Sequence, residues 1–507
     1  MRSTPHLSFL PLFSALFCHA ISLYAQPSSP TDKPISQLCF VVVYRLYFHP
    51  LARYPGPILH RLCGIPTLYH AGKGDLHYHL YALHYQYGKF VRYSPNKVSI
   101  NSVKALPDIY GFNKNTSKPE EFYSAFRVNK RAINTFNTSS KEAHRRKRRI
   151  MAKAFSETSL QSYEAFISFR VAHFMRKLRV GSGQKPFQMA YEFNCLMLDI
   201  MGGLCFGEAF GFVDGRGDTV MAQAHKRTFR IYMTGHEPLL KRLYLDRLFF
   251  PQLTAASNDI MAHLLEAGDE ETGTKYSSDE LLGEGILMMM AGSDTSSSAL
   301  TATVFYLSRH PAAMRKLRSE LTTCFQQASD IEPRAAENCR YLRACIDEAM
   351  RLSPPAPTNI PRVVGEGGIS IDGEHFQSGV YVGVPNFTLF RNGNYFESPH
   401  TYKPERWIVD PRTGVTEEDV KRAQAAFQPF SLGPRHCIGR HLAMKEVSVI
   451  LANLLHTFDI EPVGKSGELT ASYLPISGGA AVMEQHDVYT SLEDEVLIQL
   501  HVRKGQI

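Results

Sequence analysis

Apolar positions along this chain recur mostly at helical spacing, with short alternating stretches near both ends of the globular part. The clearest helical pattern opens with Ser277 and Glu280, a capping-box spacing, and meets no stop signal before His310-Pro311. That is roughly 30 residues, or about 45 Å of helix. From Gly285 through Ser308 its only charged side chain is Asp294, so the pattern predicts a helix running through the centre of the protein. Around it, a largely helical region is expected from about Lys141 to Ser353. Residues 88–101 read as a strand pair: Phe90-Val91-Arg92-Tyr93, a turn at Ser94-Pro95-Asn96, then Val98-Ser99-Ile100. Beyond Pro354, Ile369-Ser370-Ile371, Asp372-Gly373 and Val380 to Val384 suggest short strands and turns. A final helix from about Gly439 to Phe458 precedes a β-rich tail. No internal repeat interrupts this order. The prediction is one large, mainly α domain with small β-sheets at both ends (α+β).

The N-terminus has a different texture. No charged side chain occurs from Leu7 to Thr31, and its most apolar part, Leu7 to Ala25, is 19 residues, about 28 Å as a helix and enough to span a bilayer. Leu38 to Phe48 is too short to span, carries Arg45, and suits the membrane interface. A secretory signal cut after Leu23-Tyr24-Ala25 is the competing interpretation. The expected organisation is an anchor and linker over 1–35, an interfacial segment and Pro/Gly hinge over 36–57 ending in Tyr54-Pro55-Gly56-Pro57, and a globular domain over 58–507 that holds the candidate chemistry described below.

Composition narrows the field further. The 507 residues are 44% apolar and 21% charged, which excludes a disordered or fibrous chain. Nine cysteines include no Cys-x-x-Cys pair, which argues against a disulfide scaffold and a structural zinc site. The net charge of +8 is far short of a nucleic-acid-binding composition, and no nucleic-acid partner is expected. Much of the local excess lies in Arg145-Arg146-Lys147-Arg148-Arg149 with Lys153, by itself a solvated helix face.

Candidate chemistry concentrates in Phe430-Ser431-Leu432-Gly433-Pro434-Arg435-His436-Cys437-Ile438-Gly439. Two glycines flank a cysteine just ahead of a helix, so the loop can adopt unusual dihedrals and admit a flat ligand. The helix N-terminus favours a thiolate at Cys437, and Arg435 can pair with a carboxylate on the same ligand. An iron porphyrin with an axial thiolate and anionic propionates meets all three features. A lone cysteine is ordinarily an inert buried thiol; the full Phe-x-x-Gly-x-Arg-x-Cys-x-Gly spacing is far more specific.

With that segment the chain resembles the cytochrome P450 family of haem-thiolate monooxygenases, and further motifs follow in the family's order. Glu348-Ala349-Met350-Arg351 matches Glu-x-x-Arg, and Pro404-Glu405-Arg406-Trp407 matches the loop that completes a buried cluster. The resemblance implies that Glu348, Arg351 and Arg406 brace the cysteine loop. In Ala291-Gly292-Ser293-Asp294-Thr295-Ser296, small residues at Ala291 and Gly292 would leave room for dioxygen and substrate. The Thr295 hydroxyl would bond back to a carbonyl or hold water, distorting the helix locally, and Asp294 would offer a proton route. His144-x-x-x-Arg148 stands where relatives carry Trp-x-x-x-Arg, making both residues candidate haem-propionate partners, with Arg362 a third. The remaining cations of the basic run would face outward and attract an acidic redox partner.

The similarity extends from Tyr44-Arg45-Leu46-Tyr47-Phe48-His49-Pro50-Leu51 to the C-terminal strands. That opening and Leu204-Cys205-Phe206-Gly207-Glu208-Ala209-Phe210-Gly211 are similar to membrane-bound filamentous-fungal members of secondary metabolism. Two departures stand out: the apolar anchor is split by Gln26 to Lys33, and the stretch from Ala255 to Asp279 is short for the helices that precede the central one. The resemblance implies haem b (iron protoporphyrin IX) on Cys437. It also implies dioxygen, a lipophilic small-molecule substrate, NADPH-cytochrome P450 reductase as electron source, and a membrane-anchored location at the endoplasmic reticulum with the catalytic domain facing the cytosol. Substrate-contact candidates are Met289, Met290 and Ala291, Ala356 to Ile360, and Pro475 to Gly478. Two alternatives stand beside the monooxygenase: a haem-thiolate isomerase or dehydratase needing no reductase, and a catalytically impaired haem-binding protein.

Overall fold

The computed structural model describes residues 33–127, 129–216, 259–469, 482–487, 490–493 and 495–503. The apolar stretch Leu7 to Ala25 and the segment Pro475 to Gly478 lie outside them. Two units divide after Ala52. In the first, helix α1 (Lys33–Val43) runs into one π-helical turn, Tyr44–Phe48. Leu38, Phe40, Val43, Tyr47 and Phe48 all leave large apolar side chains exposed there. Among the described residues, no helix is long and apolar enough to cross a membrane.

The second unit, from Arg53, carries the candidate chemistry. Its helices include α2 (Leu76–Tyr87), α3 (Ala105–Tyr110), α4 (Lys141–Ala154), α5 (Glu157–Gly181), α6 (Met189–Phe206), α7 (Ile260–Glu266), α8 (Ser278–Arg309), α9 (Pro311–Cys324), α10 (Arg340–Leu352), α11 (Glu417–Ala426) and α12 (Arg440–Thr457). The main sheet orders β1 (Phe90–Ser94), β2 (Lys97–Ile100), β8 (Tyr381–Gly383), β5 (Arg362–Val364) and β3 (Thr116–Ser117). Only β2 and β8 run parallel in it. A second sheet orders β4 (Phe187–Gln188), β12 (Leu497–Val502) and β9 (Phe458–Pro462). Two hairpins complete the strands, β6 (Ile369–Ile371) with β7 (Glu374–Phe376) and β10 (Gln485–Asp487) with β11 (Ser491–Glu493). Asp372 and Gly373 turn the first hairpin with φ of 47° and 82°, the left-handed pair that a two-residue Asp-Gly loop supplies.

The central helix forms as its sequence demands. The Ser277 hydroxyl accepts the Glu280 N–H, the Glu280 carboxylate accepts the Ser277 N–H, and α8 continues for 32 residues. It packs against α6, α10 and α12. Some of its buried hydroxyls turn back on the helix: Thr301 donates to the Ser297 carbonyl and Thr303 to that of Ala299.

The Tyr54-to-Pro57 turn is built into the globular unit. Tyr54 stacks on Phe376 at 5.2 Å between ring centres. Arg92 N–H donates to the Pro55 carbonyl at 2.8 Å, and a Cβ on Gly56 would stand 2.1 Å from the Arg92 oxygen.

The basic run behaves differently from its sequence reading. Arg146 and Lys147 pair with Glu280, Arg149 with Asp269 and Glu271, and Lys153 with Glu270. The acidic turn 269–271 and the first turn of α8 thus pair with the cations of α4, the Lys153–Glu270 and Arg149–Glu271 pairs lying at the surface. Among the described residues, Arg145 is the member of the run left exposed without an ion pair. The expectation of an outward cationic face on α4 is corrected accordingly: acids too distant in sequence to be read as partners neutralise it.

Candidate active site

Three elements meet around one cavity of about 300 Å³. Met290, Ala291, Asp294 and Thr295 of α8 line it, as do Phe430, Arg435 and Cys437 of the loop before α12. Lys118, Arg362 and Ile360 add a third side. Ala291 is exposed although the helix around it is buried, and its exposure is to this cavity. Thr295 Oγ1 donates to the Ala291 carbonyl at 2.7 Å. The helix is α-helical through this contact.

The pair Ala291-Gly292 separates into two roles. Gly292 is not on the cavity; a Cβ there would come 2.6 Å from Met201 Sδ of α6. Its smallness lets α6 and α8 approach, which corrects the expectation that it clears room for a ligand. Met289 is likewise buried in packing rather than on the cavity.

The cysteine loop is shaped mainly by Gly433 and Ser431. Gly433 has φ of 70° and sits where a Cβ would lie 2.0 Å from the Tyr110 carbonyl oxygen. Ser431, with φ of 58°, holds a left-handed conformation that costs a non-glycine residue energy. Gly439, in contrast, has an ordinary φ of −80° and would find its nearest neighbours at 3.9 Å. Of the two glycines, only Gly433 therefore has the expected unusual dihedral, and Ser431 shares it. The Cys437 N–H closes the loop on the Phe430 carbonyl at 2.9 Å.

Cys437 is bare toward the cavity and enclosed by protein elsewhere. Burial raises its thiol pKa, against which the Gly439 N–H and the Arg148 and Arg440 guanidinium groups act. Arg148 does not line the cavity. It donates to the His436 carbonyl and to His436 Nε2, both at 2.9 Å. Since a guanidinium only donates, Nε2 accepts, and Nδ1 carries the proton given to the Gly433 carbonyl at 2.7 Å. Arg148 thus ties α4 to the cysteine loop.

The cavity's polar end is cationic. Arg435 donates to the carbonyls of Thr138, Ser139 and Ser140, and Arg362 to Tyr123 Oη and the Pro361 carbonyl. Lys118, which no sequence motif singles out, is buried beside them. Its ammonium meets the Phe136 carbonyl and lies 4.3 Å over the Tyr123 ring. Among the described residues, none of these three is paired with a carboxylate. Burial, then Arg362 and Arg435, push the Lys118 pKa well down. His144, buried behind them, is lowered to about 3 by burial and by Arg435, Lys118, Arg148 and Arg362, so it is neutral. Buried cations without anions are costly, and a dianionic ligand with an apolar body answers both the charge and the cavity's largely hydrophobic walls.

Behind the loop, Glu348 is fully enclosed. It accepts from Arg351 Nε and Nη2 at 2.9 and 2.8 Å, Arg406 Nε at 3.0 Å, the Lys403 N–H at 2.9 Å and Trp407 Nε1 at 3.0 Å. Burial pushes this carboxyl up, but Arg351 and Arg406 outweigh it and hold the pKa below the ordinary value. Trp407 then packs on Phe427 at 4.9 Å between ring centres, three residues before Phe430. The cluster reaches the cysteine loop through that contact.

The Cytochrome P450 family model matches residues 54–256 and 246–478, the two pieces meeting close to the stretch that looks short. Cytochrome P450 monooxygenase AFT11-1 of Alternaria alternata is 36% identical over 480 residues, covering 90% of this chain and 94% of that protein. Cytochrome P450 monooxygenase poxM of Penicillium oxalicum is 32% identical, covering 83% and 86%. Averantin hydroxylase of Dothistroma septosporum is 31% identical, covering 83% and 82%. The chain belongs to the cytochrome P450 family: it is a haem-thiolate monooxygenase that takes iron protoporphyrin IX as cofactor and acts with a redox partner and dioxygen on a small molecule.

Proposed function

We propose that the protein oxidises a lipophilic small molecule of fungal secondary metabolism, with Cys437 as the axial ligand of the haem iron. The observation that carries this is the single cavity bounded by the Cys437 sulfur, by Ala291 and Thr295, and by buried cations without carboxylates. When bound, the haem supplies the chemistry that inserts one atom of dioxygen into the substrate and releases the other as water. Phe430 and Ala291, which line the cavity, and Gly439 beside Cys437 would be among the residues that hold the flat ligand. Lys118, Arg362 and Arg435 hold its carboxylates, with neutral His144 as a hydrogen-bond donor behind them. Arg148 acts through His436 to fix the sulfur's position. Thr295 Oγ1, presently on the Ala291 carbonyl, and Asp294, 4% exposed, form the proton route into the cavity. Glu348, Arg351 and Arg406 hold the loop in place. Met290 and the cavity-lining pair Ala356 and Ile360 contact the substrate.

Electrons come from NADPH through a membrane-bound NADPH-cytochrome P450 reductase. The apolar stretch Leu7 to Ala25 and the exposed apolar side chains of α1 support an endoplasmic-reticulum anchor with the catalytic unit facing the cytosol. The relatives' filamentous-fungal sources, and one named for hydroxylating averantin, support the substrate class.

The test is the carbon monoxide difference spectrum of the reduced protein, followed by NADPH consumption with reductase and candidate substrates. Thiolate ligation lost in Cys437→Ser is the expected result, and pigment binding unchanged by that substitution would end this account. Thr295→Ala and Asp294→Asn are expected to keep the spectrum while NADPH use rises relative to product. Product formed without NADPH would identify an isomerase or dehydratase instead.

A further inference from the structure

We infer that Cys324 and Cys339 form a reversible disulfide that staples the end of α9 to the start of α10 when the protein meets a peroxide. Cys324 is the last residue of α9 and is exposed. Cys339 is the residue immediately before α10 and is 2% exposed. The facing of the two is fixed by Glu320, one turn before Cys324. Its carboxylate accepts the Tyr341 and Leu342 N–H groups at 2.8 and 2.9 Å, capping the first turn of α10. Residues at i and i+4 share a helix face, so the contact that aims Glu320 at this helix start aims Cys324 there too. The Cys339 thiol, which donates to the Ala335 carbonyl at 3.8 Å, is close enough to Cys324 for the two to affect each other's ionisation. Both are reduced in this structure.

Their environments set the order of events. Burial, and then the adjacent Cys324, push the Cys339 thiol up to about 12, which makes it a poor first nucleophile; Cys324 faces solvent. The Cys324 sulfur, having lost its proton, attacks one oxygen of hydrogen peroxide and breaks the O–O bond, giving a sulfenic acid and one water. The Cys339 sulfur then attacks the Cys324 sulfur, and its proton leaves with the hydroxyl as a second water. The balance is two thiols and one hydrogen peroxide to one disulfide and two waters, with sulfur oxidised and peroxide oxygen reduced.

The bond would close the loop spanning 325–338 and fix the first turn of the helix that presents Glu348 and Arg351. A closed loop restricts the unfolded chain, so the oxidised form should resist denaturation better than the reduced one.

Trypsin separates the two cysteines, because Arg334 lies between them, so a cross-link is read directly. The full-length holoprotein would be treated with hydrogen peroxide, and separately with diamide to spare the haem. Remaining thiols would then be alkylated in denaturant and the unreduced digest analysed by mass spectrometry. The expected result is one linked pair joining Cys324 and Cys339, two hydrogens lighter than the separate peptides and restored by dithiothreitol. The urea midpoint should rise on oxidation in the parent protein and stay fixed in Cys324→Ser, whose change lies at an exposed position. Over-oxidation of Cys324 with Cys339 still alkylatable would overturn the inference. So would Cys324 linked to any other cysteine, or a midpoint that rises equally in Cys324→Ser.

Discussion

Lys118 shows how a single buried side chain can carry opposite meanings in two states of one protein. Without a bound dianion, burial and the neighbouring Arg362 and Arg435 work against its charged form; with one, its charge gains a partner. Lys118→Met should therefore stabilise the haem-free protein, by about 1–3 kcal/mol for removing a buried group whose charge burial and two guanidinium groups oppose. The same change should speed haem loss to a scavenger about tenfold, the factor that 1.4 kcal/mol represents. A purely structural lysine would move both measurements the same way. Glu348 is the reverse case, satisfied in every state by two guanidinium groups, a backbone N–H and an indole. Glu348→Gln should cost about 3–5 kcal/mol in urea unfolding, because Arg351 and Arg406 would remain buried without their counter-charge. The depressed pKa of Glu348 means that its contribution is complete above the ordinary value of 4.5 and is lost as pH falls through the lower folded value.

At the level of elements, the distance between α6 and α8 depends on Gly292. Gly292→Ala would place a methyl group against Met201, an overpacking expected to cost about 1–3 kcal/mol. Met201→Ala in the same chain should recover most of that loss, as thermal unfolding of the single and double variants would reveal. No recovery would mean that the glycine serves something other than helix approach. Helix α4 shows a different kind of dependence. Its cations are matched by Glu280 on α8 and by the turn at 269–271, while Arg148 on the same helix holds His436 of the cysteine loop. The segment between α6 and α8, which looked merely short in sequence, thus supplies the acids that fix the helix behind the cavity.

Across the whole molecule, buried imidazoles set the response to acid. Burial and neighbouring cations lower His144 to about 3 and His400 to about 4, and burial lowers His79 and His84 to about 4. A histidine depressed in the folded state takes up its proton more readily when unfolded. Stability is therefore full above the unfolded value of 6.5 and declines as pH falls from there toward 4. Urea midpoints measured across that range should fall steadily, and His84→Gln should flatten part of the slope. A midpoint constant from pH 7 to pH 4.5 would contradict the neutral assignment of these rings.

Local chemistry was readable along the chain wherever a few neighbouring residues settle the outcome. The Ser277 and Glu280 cap, the Asp372-Gly373 hairpin and the Phe430-to-Gly439 loop each depend on backbone preferences and hydrogen bonds that span only a few positions, so sequence alone determined them and, with them, the haem-thiolate class. Lys118, the packing role of Gly292, the redirection of Arg148 to His436 and the neutralised basic run were decided only by tertiary structure. Each turns on a partner between 91 and 317 positions away. Electrostatic and steric effects act through space, and the order of residues does not encode which distant groups the fold will bring within a few ångströms.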